Sequence, residues 1–259
     1  MHKLKKLAKK YGIGAVLGLV IAIGFLIMDT GGWITTTAPV KSVKPAKYTV
    51  VIDSGHGGID PGKVSASGAY EKDINLAIAL KLQKLLEEQG CQIVMTRTTD
   101  QGLYDESASN KKMSDMKKRI EIMNDCHPDL IISIHQNSFS DTISKGAQVF
   151  YQSSSESGKA LAEQMQTILK EQVDPDNRRQ CKANNDYYLL QHSEATMVII
   201  ECGFMSNPQE AELLQTEDYQ NKLATAITNG VMQYLEQQDG KEAQNEDEGA
   251  TDKPGAVSR

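Results

Sequence analysis

Three side chains able to bind a metal or carry a proton stand where apolar runs end: His56, His135 and Glu201. The run Tyr48-Thr49-Val50-Val51-Ile52 reads as a buried strand, and it breaks into Asp53-Ser54-Gly55-His56-Gly57-Gly58, so rich in glycine that the backbone can fold tightly around one imidazole. Leu130 to Ile134 leads into His135, and Met197 to Ile200 leads into Glu201. Any one of these alone is an ordinary turn residue or strand-end charge. Together they point at one crevice, because in open α/β sheets the chemistry lies just outside the carboxyl ends of the strands.

Glu71 joins them from a helix. It opens a pattern in which Ile74, Ala77, Ile78, Leu82, Leu85 and Leu86 share one face and Gly90 marks the end. The helix dipole favours an acid in a first turn by about 0.3–1 kcal/mol, which would by itself account for Glu71. Yet two imidazoles and one carboxylate also bind zinc with one tetrahedral position left open, the arrangement of catalytic zinc, and His56, Glu71 and His135 can supply it. The open position takes water, whose pKa falls from about 15.7 to about 7. A carboxylate outside the metal shell can then take the proton and pass it to a leaving nitrogen, and Glu201 is the candidate. Asp53 can orient a ligand imidazole or cap its own loop.

The elements that must position these residues alternate strand and helix. Gln92 to Thr96 forms a strand with Arg97 and Asp100 at its exit, and Ser114 caps a helix facing inward with Met116, Ile120 and Met123. Ala147 to Tyr151 is a further strand, Leu161 to Leu169 marks a helix, and residues 173 to 187 form an irregular rim. Asn207 caps a helix with Pro208 in its first turn, and Tyr219, Leu223, Ile227, Val231 and Leu235 give the last helix its inner face. The order implies an α/β fold: a single domain with an open, twisted, mostly parallel sheet and helices on both faces.

The chain's ends differ from its middle. Five lysines in residues 1 to 10 precede eighteen uncharged residues, 11 to 28, a pattern that fits a signal-anchor or a signal peptide within residues 1–33 and places the rest outside the cytoplasm. No A-x-A cleavage site precedes Ala38-Pro39. Residues 34–46 read as a linker, 47–237 as the catalytic domain, and 238–259 as a disordered acidic tail. With acids outnumbering bases 28 to 20 between residues 11 and 237, no basic patch suggests nucleic acid. Cys91, Cys126, Cys181 and Cys202 share no C-x-x-C spacing, and Cys91 and Cys202 read as buried thiols.

Several enzyme classes fail on particular residues. Asp60 stands where a dinucleotide fingerprint needs its last glycine, no Gly-Lys-Ser/Thr follows for a P-loop, and H-E-x-x-H is absent. A serine hydrolase through Ser54 lacks the G-x-S-x-G elbow.

The blocks Val51-Ile52-Asp53-Ser54-Gly55-His56-Gly57-Gly58, Glu71, Ser133-Ile134-His135-Gln136-Asn137 and Glu201-Cys202-Gly203-Phe204-Met205-Ser206-Asn207 resemble the zinc-dependent N-acetylmuramoyl-L-alanine amidases, in order over about residues 47 to 236. Thr96-Arg97 with Asp100, Arg119 with Asn124, and Gly146 with Tyr151 also fall where that family has similar residues. The resemblance implies one zinc on His56, Glu71 and His135, Glu201 as catalytic carboxylate, Asp53, Arg97 and Asn137 behind the ligands or against substrate, and cleavage of the amide between N-acetylmuramic acid and L-alanine in peptidoglycan. Gln136 departs from the family's usual alanine and is expected to alter the rim. The compact catalytic segment looks like the spore-cortex (germination-specific) branch, which prepares peptidoglycan for muramic-δ-lactam formation and can need an activating protein partner. Another cell-wall metallopeptidase, or a wall-binding module without catalysis, is the alternative.

Overall fold

The computed structural model describes residues 46–251. The segment expected as an export signal or anchor, and nearly all of the expected linker, lie outside the described residues, as do residues 252–259. Among the described residues no helix is long and apolar enough to cross a membrane.

Six strands, β1 (Thr49–Ser54), β2 (Gln92–Met95), β3 (Leu130–Asn137), β4 (Gln148–Tyr151), β5 (Lys182–Ala183) and β6 (Met197–Phe204), form one sheet in the order β2-β1-β3-β6-β4-β5. β2, β1, β3 and β6 run parallel, whereas β4 is antiparallel to β6 and β5 parallel to β4, so the sheet is mostly parallel as expected. Around it lie α1 (Glu71–Glu88), α2 (Lys111–Asp125), α3 (Glu156–Gln172), α4 (Tyr188–His192), α5 (Pro208–Leu213) and α6 (Glu217–Thr251).

Period-two alternation splits each central strand between two cores. Val50, Ile52, Leu130, Ile132 and Ile134 pack with Ile74, Ile78 and Leu82 of α1 and with buried residues of α3 and α6. Val51, Ile131 and Ile199 pack on the other face with Met123 of α2 and Leu189 and Leu190 of α4. Helices therefore cover both faces, and strands buried on both sides read as unbroken apolar runs.

The order β2-β1-β3 places the site. From β1 the chain crosses through α1 to β2 on one side, then through α2 to β3 on the other, so β1 and β3 flank the point where the winding reverses. Parallel sheets open a crevice at such a point.

Several local readings hold. Gly90, with φ +86, follows α1, and Asn207 accepts from the backbone of Gln209 and Glu210 with Pro208 in the first turn of α5. Two differ. Asn110, not Ser114, caps α2, its carbonyl oxygen accepting from Met113 N, while the Ser114 hydroxyl accepts from Asp105 N. And α6 runs on to Thr251, through residues read as a disordered tail from 238. Gln, Glu, Lys and Ala there are good helix formers without an apolar face. Asp239 ties this extension back to the domain's start through Lys47 and the Tyr48 hydroxyl.

Candidate metal centre and active site

His56 leaves β1 in a left-handed conformation, φ +62, followed by Gly57 and Gly58, also at positive φ. For a residue with a Cβ this costs about 1–2 kcal/mol. Three basic side chains hold the turn by donating to its carbonyls: Arg119 to Ser54 and His56 (2.7 and 2.5 Å), Arg97 to Ser54 and Gly55 (2.9 and 3.0 Å), and Lys72 to Gly58 (2.8 Å). The loop that carries the imidazole is thus pinned on its backbone.

The turn brings His56 Nε2 to 3.2 Å from Glu71 Oε1, and His135 Nδ1 lies 3.0 Å from the same oxygen. One donor atom each from His56, Glu71 and His135 falls within 4.8 Å of the others. Two imidazoles and a carboxylate converging this closely suit a metal such as zinc. His56 Nδ1 is 2.9 Å from Asp60 Oδ2, the carboxylate–imidazole pairing that fixes a ligand ring. Burial lowers the proton affinity of His56, but Asp60 and Glu71 outweigh it and lift its pKa to about 9. Burial raises that of Glu71, and both imidazoles outweigh it, holding the carboxyl far below its ordinary range.

Glu201 is the direct neighbour of His135 across β3 and β6. Burial, with some help from Glu71, pushes its pKa up to about 7 against the pull of His135. Oε1 accepts from the Tyr187 hydroxyl at 3.4 Å, and Oε2 is buried without a partner among the described residues. A cleft of about 950 Å³ opens over the four residues, with Tyr187 and Asn137 on its wall. A metal ion held by these three side chains would stand beside a proton acceptor poised near neutral pH.

The remaining sequence candidates fall differently. Asp53 touches neither imidazole; its carboxylate accepts from Arg119, Thr96 and Ser133 (2.7, 2.8 and 2.6 Å), and Asp60 fills the orienting place expected of it. Burial alone would raise its pKa, but Arg119, His135 and Ser133 bring it down to about 2. Arg97 is buried and spends its guanidinium on the carbonyls of Ser54, Gly55, Lys72 and Thr99 rather than facing the cleft. Asn137 does line the cleft, its side-chain oxygen accepting from Ser138 N at 2.8 Å. Gln136 borders the floor of the cleft rather than its rim: strand alternation turns it inward beneath the site, 3% exposed. All four cysteines are free thiols.

Sequence reasoning missed Asp60, Asn75 and Tyr187. Asn75 carries a spacing signal, since it follows Glu71 by one turn of α1, whereas Asp60 lies in a non-helical loop after His56, where a separation of four fixes no direction. Tyr187 closes an irregular segment and has none.

Gly55 is required by close approach. A Cβ there would lie 2.3 Å from Cε1 and Nε2 of His135. Gly55→Ala is expected to shift that ring and weaken zinc uptake by roughly 10- to 100-fold, with circular dichroism unchanged; zinc titration measures it.

A family model described as N-acetylmuramoyl-L-alanine amidase matches residues 50–233. The germination-specific N-acetylmuramoyl-L-alanine amidase of Bacillus subtilis is 34% identical over 189 residues, covering 72% of this chain and 79% of that protein. AmiA of Escherichia coli, an N-acetylmuramoyl-L-alanine amidase, is 28% identical over 250 residues, covering 79% and 82%. Among solved structures, the CwlD amidase of Clostridioides difficile in complex with the GerS lipoprotein matches with a TM-score of 0.71 and 41% identity, covering 73% of this chain and 98% of that one.

Proposed function

The chain belongs to the N-acetylmuramoyl-L-alanine amidase family, and on that premise we propose that it cleaves the peptidoglycan amide between N-acetylmuramic acid and L-alanine with one zinc ion held by His56, Glu71 and His135. Zinc bound there supplies a Lewis acid that polarises the scissile carbonyl and makes water nucleophilic near neutral pH. The chain's own groups do the rest. Glu201 takes the water's proton on Oε2, its unpaired oxygen, and hands it to the departing nitrogen of L-alanine. Tyr187 steadies the same carboxylate through Oε1. Asp60 holds His56 in the ring orientation that turns Nε2 toward Glu71. Asn137, on the wall of the cleft, is placed to meet the substrate.

The observation that carries this reading is the convergence of His56, Glu71 and His135 beside a buried carboxylate whose pKa is pushed up to about 7. Digestion of purified peptidoglycan tests it. Stem peptides beginning with L-alanine should appear, disappear after chelation and return with added zinc. Fragments cut within the stem would favour a metallopeptidase instead, and no cleavage under any metal would favour a wall-binding module.

The physiological setting rests on the likeness to the germination-specific amidase. In it the enzyme acts outside the cytoplasm on spore cortex, held by the basic and apolar N-terminal segment, and its product feeds muramic-δ-lactam formation. A lipoprotein in complex with a similar amidase makes a protein partner of that kind the reading for this chain. Cortex from spores lacking the enzyme should contain no muramic-δ-lactam on muropeptide analysis; normal lactam content would move its role to the vegetative wall.

A further inference from the structure

Beneath Glu71, on the face of the sheet that α1 covers, lie two buried carboxamides that the chemistry above does not use. Asn75 is fully buried one helical turn after Glu71, and Gln136 is buried in the residue after His135. They form a chain of hydrogen bonds. Gln136 Nε2 donates to Asn75 Oδ1 at 3.1 Å, and Asn75 Nδ2 reaches Glu71 Oε1 at 3.4 Å and the Gly55 carbonyl at 3.2 Å. The backbone N–H of Gln136 donates to the same Glu71 oxygen at 3.0 Å, and that of Lys63 to Oε2 at 2.8 Å.

The two carboxamides are costly to bury. Gln136 Oε1 has no partner among the described residues, and a buried acceptor left unpaired is destabilising. A methionine or leucine would fill the same space without that penalty. What the amides add is direction: an asparagine side chain can turn either its oxygen or its nitrogen toward Glu71. Gln136, donating to the oxygen, leaves the nitrogen for the carboxylate and for the loop that carries His56.

We propose that Asn75 is a positioning residue for the metal centre, oriented by Gln136, which together set the carboxylate of Glu71 and the Gly55 carbonyl so that the ligands from α1 and from the β1 loop meet. The inference rests on the metal reading of His56, Glu71 and His135. Gln136 acts on the metal only through Asn75, so the two side chains behave as one unit.

The test is the zinc dissociation constant of the full-length protein in mild detergent, measured by competition with a chromogenic chelator, alongside the thermal stability of the metal-stripped protein. Asn75→Leu should weaken zinc binding by about 10- to 100-fold, the range for partners behind metal ligands. Gln136→Met, which keeps the volume and removes the donor, should weaken it in the same direction by less. The double variant should bind no more weakly than Asn75→Leu alone, because residues in one chain are non-additive. A purely structural role would lower stability of the stripped protein and leave zinc affinity within twofold of wild type; that result, in either single variant, overturns the proposal. If Asn75→Leu does not fold, Gln136→Met decides the matter by the same criterion. A wild-type protein that takes up no zinc overturns the metal reading and this inference with it, whereas tight wild-type binding with unchanged variants overturns this inference alone.

Discussion

Glu201→Gln is expected to leave zinc bound and to lower kcat by about 100- to 10,000-fold, the usual contribution of a positioned acid–base group. The amide keeps the shape of the carboxylate and its place beside His135, but cannot accept the proton of water. The same variant should be more stable than the parent once the metal is chelated. Burial lifts the pKa of Glu201 from 4.5 to about 7, which corresponds to roughly 3 kcal/mol of destabilisation when the group is charged. Below pH 4.5 the group is neutral folded and unfolded and costs nothing. As the pH rises through 7 the folded protein must ionise it, and the full cost is present above that. Chelated wild type and Glu201→Gln should therefore unfold at similar temperatures at pH 4 and diverge at pH 8, the variant higher by several degrees. Unchanged turnover would remove Glu201 from the mechanism, and identical melting at both pH values would remove the strain of its burial.

That an active site stores instability in this way bears on what the sequence made legible. His56, His135 and Glu201 could be recognised because each ends an apolar run, and a doubly covered parallel sheet writes its strands as such runs. Glu71 could be recognised because a helix start is marked by its pattern, although the acid there is equally well explained by the dipole. What lay beyond reach was the direction of side chains around the site. Asp53 and Asp60 are both acids near His56, and only the left-handed turn at His56 decides that Asp60 meets the ring while Asp53 turns under the loop to Arg119. Gln136 sits next to His135 in sequence, yet strand alternation sends it to the opposite face. The tail beyond residue 238 lacks an apolar stripe, so its helix was invisible to periodicity and follows from propensity and the tie of Asp239 to Lys47 and Tyr48.

Arg119 carries the second large effect. It stands buried on α2, its Nη1 2.7 Å from Asp53 and its Nε 2.5 Å from Asp115, while the same guanidinium donates to the carbonyls of Ser54 and His56. Arg119→Met should destabilise the fold by about 3–5 kcal/mol, because it leaves the charge of Asp53 buried with only the hydroxyls of Thr96 and Ser133. The loss should shrink in acid. Asp53 titrates at about 2 in the intact fold against 3.8 in the unfolded chain, so the parent keeps the pair's contribution above pH 3.8 and loses it as the pH falls through 2. The variant has no such contribution to lose. Adding Asp53→Asn should restore much of the stability, since an uncharged buried pair of similar volume is often tolerated. It should not restore zinc affinity, because the double variant still lacks the clamp on the Ser54 and His56 carbonyls that holds the imidazole-bearing loop. Urea midpoints and zinc titrations on the parent and these two variants separate the two roles: recovery of both together would make Arg119 a charge partner only, and recovery of stability alone assigns it to the positioning of His56.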